Sequence, residues 1–272
     1  MPKATVNGVS INYKVQGQGE PLVLIMGFIG PQWAWFFQTR ALKKYYRVIT
    51  LDNRGVGKSQ KPKESFTVKC MAEDTIGLMD HLGIDKAHIL GISMGGMIAQ
   101  EIAINHPERV KKLVLGCTSA GGYRINNLHP DMIKAAGIKE GVAKDDMVDI
   151  NIGKESSAAI CVAFNGKVAR MLLLPLSRIF AIYVRLAGAQ GYLGQMKATR
   201  GHSTLDRLGS IIAPTLVITG TEDRLVLPHC SDVIASSIPN AKLVKIENGG
   251  HAFFVEKRSR FNREVLDFLS AP

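Results

Sequence analysis

The chain has 272 residues, 46% of them hydrophobic and 21% charged, which suits one large α/β domain or a core with an insertion and excludes disordered, collagenous and fibrous classes. Its 34 Lys and Arg against 23 Asp and Glu give a formal charge of +11. The cations are mostly scattered and no stretch interleaves basic and aromatic residues in the manner that stacks bases, so no nucleic-acid partner is expected.

From the start, Met1 to Gly8 lacks the apolar core of a signal peptide. Ala4-Thr5-Val6 and Ile11 to Val15 flank Asn7-Gly8, which predicts an antiparallel hairpin. Beyond Gly17-Gln18-Gly19 the apolar runs are continuous: Leu22 to Met26, Val48 to Leu51, Ala87 to Gly91, Lys112 to Leu115 and Thr215 to Ile218. Unbroken β-branched runs predict strands covered on both faces of a parallel sheet. Ala241 to Ile246 alternates instead and reads as a strand nearer the edge. Helical spacing fills the gaps over Val68 to Leu82, with Gly83 as the stop, and over Met97 to Asn105 and Arg260 to Leu269. The most apolar stretch, Met171 to Ala189, is interrupted by Pro175, Arg178 and Arg185, so stable membrane insertion is not expected. Cys70, Cys117, Cys161 and Cys230 lie far apart with no metal-ligand spacing, which predicts no metal site and reduced thiols in the cytoplasm.

Gly91-Ile92-Ser93-Met94-Gly95 follows a strand and precedes a helix, the context that a G-x-S-x-G nucleophile elbow needs. A serine hydroxyl is a weak nucleophile at neutral pH, so it needs a base and donors for the oxyanion formed on attack. The residue after the nucleophile, Met94, would supply one backbone N–H. Of the seven histidines, His251 is the candidate base, because it follows Gly249-Gly250 in a loop after a strand, a flexible and exposed setting. His81, His88, His106, His129, His202 and His229 read as surface or packing residues. A carboxylate is needed to hold the imidazole tautomer, and Asp223 and Glu222 both stand past the Thr215 strand.

Taken together, Met26-Gly27-Phe28-Ile29-Gly30, Asp52 to Ser59, the elbow at Ser93, Gly220-Thr221-Glu222-Asp223-Arg224 with Pro228, and Gly249-Gly250-His251 resemble the α/β-hydrolase fold superfamily. The resemblance covers 1–118 and 208–272, and implies an α/β core there: a mostly parallel sheet of about eight strands with helices on both faces. It also implies the order Ser93, Asp223, His251, with Asp223 rather than Glu222 as the acid and Phe28 as the second oxyanion donor. The His-Gly found in many relatives is replaced here by Met26-Gly27. Other members place the acid after the preceding strand, where this chain has Gly116-Cys117-Thr118-Ser119.

Residues 119–207 lose the strand signal and read as an inserted helical cap. From Lys167 to Arg207 it carries seven basic residues and one acidic, either a solvated basic face or an attraction for carboxylate-bearing substrates or anionic lipid. Gly57-Lys58-Ser59 is not a phosphate loop, because Asp52 occupies the position where that motif needs glycine. No dinucleotide fingerprint follows the first strand. The expectation is therefore a cofactor-free serine carboxylesterase for a small-molecule ester. A carbon–carbon bond hydrolase or an enol-lactone hydrolase is the alternative with the same triad, and a non-catalytic ligand-binding protein of the same fold is a more distant one. A homo-oligomer is neither required nor excluded.

Overall fold

The computed structural model describes residues 2–121 and 189–272. Most of the expected cap, with His129, Cys161, Arg178 and Arg185, lies outside the described residues. Strands β1 (Lys3–Val6) and β2 (Val9–Gln16) pair antiparallel across Asn7-Gly8. Both turn residues have positive φ, 48° and 74°, as a two-residue hairpin turn of right-handed twist requires. β3 (Pro21–Ile25), β4 (Arg47–Leu51), β5 (Ala87–Ile92), β6 (Val110–Gly116), β7 (Thr215–Gly220) and β8 (Ala241–Ile246) complete one sheet of eight strands among the described residues, in the order β1-β2-β4-β3-β5-β6-β7-β8. From β4 to β8 every pairing is parallel. β8 is the last strand and half exposed, in line with its alternating sequence.

Continuous apolar strands serve two faces at once, because successive side chains point to opposite sides. Leu22, Leu24, Leu90, Val114, Leu216 and Ile218 face one layer, formed by α1 (Phe36–Leu42), α6 (Phe253–Glu256) and α7 (Arg258–Ser270). Val23, Ile25, Ile89, Leu115 and Val217 face the other, formed by α2 (Val68–His81), α3 (Met94–Asn105) and α5 (His229–Ser237). Thr67 caps α2 by accepting the Cys70 N–H at 3.2 Å, and Gly83 ends it at φ 63°. α3 starts at Met94, three residues before the apolar spacing suggested. Gly95 and Gly96 are helical there because their bare Cα atoms let the helix lie against Ile25 and Thr118.

The sheet reverses direction of growth between β3 and β5: β4 lies on one side of β3 and β5 on the other. The loops at the carboxyl ends of those two strands therefore separate and leave a crevice, the usual ligand position in such sheets. Beside it, the chain segments on either side of 122–188 meet: Gly121 bridges Ser203, and Thr204 N–H donates to Ala120 O at 2.8 Å. α4 (Ala189–Arg200) then lies across the loops that follow β3 and β4.

Candidate active site

Ser93 joins β5 to α3 at φ 53° and ψ −127°, a backbone that an L-residue holds only where its surroundings over-determine it. They do so here. Its N–H donates to Gly116 O at 2.9 Å, and its carbonyl accepts from Thr118 Oγ1 at 2.7 Å and from Gly96 N–H at 2.9 Å. Glycine is needed on both sides because a Cβ on Gly91 would overlap the carbonyl oxygen of Gly95, and one on Gly95 would overlap that of Ile25. Helix α3 starts at the next residue, so the Met94 N–H belongs to the set of helix-end donors without an intrahelical acceptor.

Asp223 ends the turn after β7 and is 2% exposed, whereas Glu222 is exposed. One carboxylate oxygen of Asp223 accepts the N–H groups of Leu225 and Val226, each at 2.9 Å. The other is 2.8 Å from Nδ1 of His251. His251 is itself only 8% exposed, not in the open loop that its sequence setting suggested. The burial follows from local packing: Gly249 and Gly250 lie so close on Gly220 that a Cβ there would overlap the Gly249 carbonyl oxygen.

Ser93, Cys117 and Asp223 thus follow the carboxyl ends of β5, β6 and β7, three adjacent parallel strands. The ligating atoms of Cys117, Asp223 and His251 lie within 4.8 Å of one another. Burial, and next the Asp223 carboxylate, push the Cys117 thiol well above its ordinary pKa, so it is a neutral thiol. The structure joins Asp223 to His251 directly. Among the described residues no hydrogen bond links Ser93 Oγ to the imidazole.

The loop carrying Phe28 is braced by Asn53, within the Asp52 to Ser59 motif, and by Gln195 and Tyr192, which the sequence did not single out. Asn53 Nδ2 donates to Met26 O at 2.9 Å, from the loop after β4. Gln195 of α4 is fully buried; its Oε1 accepts the Ile29 N–H at 2.8 Å and its Nε2 donates to Arg54 O at 2.9 Å. The Phe28 and Tyr192 rings meet edge to face with centroids 5.1 Å apart. Asp52, which disqualified the phosphate loop, is a buried structural acceptor for Asn12 Nδ2 at 2.8 Å, Gln32 N–H at 2.7 Å and Lys58 N–H at 2.9 Å. Of the other described histidines, His88 pairs with Glu20 at 2.9 Å and His106 with Glu73 at 3.0 Å. His202 is buried at the base of the expected cap, where desolvation lowers its pKa to about 4.

The family described as "alpha/beta hydrolase fold" matches this chain over residues 20–145 and 181–258. A protein of Azorhizobium caulinodans, provisionally named carbamate hydrolase RutD, is 27% identical over 98% of each chain. Among solved structures, the enol-lactonase from Burkholderia xenovorans LB400 superposes with a TM-score of 0.83 at 25% identity, covering 99% of this chain and 100% of that one. The meta-cleavage product hydrolase from Pseudomonas fluorescens IP01 gives 0.79 at 26% identity, covering 99% and 97%.

Proposed function

We propose a reaction from one premise: this chain belongs to the alpha/beta hydrolase fold family. The protein is a serine hydrolase that cleaves carboxylic esters through an acyl-enzyme. Ser93 Oγ attacks the carbonyl carbon while Nε2 of His251 takes its proton. The Asp223 hydrogen bond keeps the proton on Nδ1, so that Nε2 is the acceptor, and stabilises the imidazolium once it forms. Backbone N–H groups of Phe28 and Met94 hold the oxyanion, and His251 returns its proton to the leaving alcohol. A water deprotonated by His251 then attacks the acyl carbonyl, releasing the acid and Ser93.

The observation that carries this reading is the buried Asp223–His251 pair at 2.8 Å, following a strand of the same sheet whose β5 leads into a serine held at φ 53° between strand and helix. A packing histidine would not need both a carboxylate and two further N–H groups fixing that carboxylate. The second reading is hydrolysis of an enol-lactone or of a carbon–carbon bond in a vinylogous diketone, favoured by the two solved neighbours whose names carry those activities. In this reading residues 119–207 form a cap that selects the acyl group.

Turnover of matched aryl esters, lactones and vinylogous diketones separates the two. Esters giving the highest kcat/KM, with all turnover lost in Ser93→Ala, supports the first reading. Preference for a lactone or diketone replaces it with the second.

A further inference from the structure

The helical segment after the Phe28 loop buries Trp35 and Leu42 but also leaves three aromatic rings outside. Over the 3-10 turn Gln32–Trp35 and α1, the polar side chains of Gln32, Gln38 and Thr39 are buried. The rings of Trp33, Phe36 and Phe37 instead face solvent, 69%, 60% and 37% exposed. Phe36, Phe37 and Arg40 recur at helical spacing in α1 and are exposed, and Trp33, in the 3-10 turn before it, lines the same cavity as Phe36 and Arg40. Trp35 alone among the rings of the run 33–37 turns fully inward.

Between this segment and β2 lies a cavity of about 340 Å³, lined in part by Lys14, Arg40, Lys43, Trp33 and Phe36. Three cations line it and no carboxylate does. None of the three cations pairs with a carboxylate elsewhere among the described residues. Like charges so gathered repel one another unless an anion joins them.

We infer that this face docks on an anionic phospholipid membrane, with a headgroup phosphate in the basic cavity and the rings of Trp33 and Phe36 in the interfacial layer. Basic side chains are attracted to an anionic leaflet, and Trp and Phe favour the boundary between headgroups and acyl chains. A free small anion would use the cavity but leave the two rings in water. A nucleic-acid strand would need cations spread along a track, whereas these three line a single cavity. Peripheral docking of this kind requires no spanning segment.

The test is cosedimentation of the full chain with phosphatidylcholine vesicles, with and without phosphatidylglycerol. Wild-type protein is expected to bind only the phosphatidylglycerol vesicles, with a blue shift of Trp33 emission. Inorganic phosphate at the same phosphate concentration is expected to leave that emission unmoved. Arg40→Glu with Lys43→Glu, and Trp33→Ala with Phe36→Ala, should each weaken binding about tenfold or more, with thermal midpoints unchanged. Lys63→Glu with Lys86→Glu alters net charge equally at exposed positions elsewhere and should bind as wild type. Equal loss in that control, no preference for phosphatidylglycerol, or tighter binding to a single-stranded oligonucleotide overturns the inference. Should the double variants unfold, the single substitutions Arg40→Gln and Trp33→Gln give the same comparison, and wild-type affinity in both rejects it.

Discussion

Asp223 gathers three donors on one carboxylate, two backbone N–H groups and the imidazole of His251. Asp223→Asn keeps the size but can present its amide N–H₂ to the ring, which favours the wrong tautomer. Ester kcat should fall about 10⁴-fold. Because Cys117 Sγ lies within 4.8 Å of a ring nitrogen of His251 and of a carboxylate oxygen of Asp223, a second carboxylate introduced there reaches His251 from the neighbouring strand. Adding Cys117→Asp to Asp223→Asn should restore at least about tenfold in kcat; no restoration would mean that position 117 cannot orient the imidazole. Gly91→Ala tests the elbow itself. Its Cβ meets backbone on the far side of the turn, which cannot retreat like a side chain, so unfolding in urea should show a loss of about 3 kcal/mol. These roles are readable from sequence where a residue type answers a geometric need, as with the glycines about Ser93. The choice between Glu222 and Asp223 is not readable that way, since only burial distinguishes them.

At the scale of elements, α4 and the stem beside it, where Gly121 bridges Ser203 and Ala120 accepts from Thr204, decide how the site is framed. Gln195→Leu would leave the Ile29 N–H and the Arg54 carbonyl without their partner, a loss of about 2 kcal/mol or more. The freed loop carries Phe28, so kcat should drop more than KM rises in ester assays. In the stem, His202 Nδ1 lies 3.6 Å from Glu101 Oε1, yet burial outweighs that attraction and lowers the folded pKa from 6.5 to about 4. The unfolded chain therefore takes up the proton first as pH falls, and stability is lost between pH 6.5 and about 4. From pH 7 to pH 5 this group should remove about 2 kcal/mol. Urea titrations at both pH values should show that slope flattened by that amount in His202→Asn; an unchanged slope would remove His202 as its source. Strand runs such as Leu22 to Ile25 are legible because a parallel strand must be apolar on both faces. Gln195 and His202 gave no such signal, because a buried polar residue that bridges two loops has no periodicity.

For the molecule as a whole, the strand order brings residues 130 and more positions apart to one sheet edge, with Ser93 after β5 and Asp223 after β7. Motif context suffices to anticipate that convergence. The distribution of +11 charge does not follow from composition. Glu20 shows why: hydrogen bonds from Lys111 and then His88 draw its pKa down to about 2, so cations that look free in the sequence are neutralised on that face. Those at Lys14, Arg40 and Lys43 gather without a carboxylate. The reaction itself is tested most directly by mapping a fluorophosphonate adduct by tandem mass spectrometry. The proposed triad predicts one adduct, on the peptide holding Ser93, lost in Ser93→Ala and strongly slowed in His251→Ala; an adduct on another residue, or none with folded protein, contradicts it.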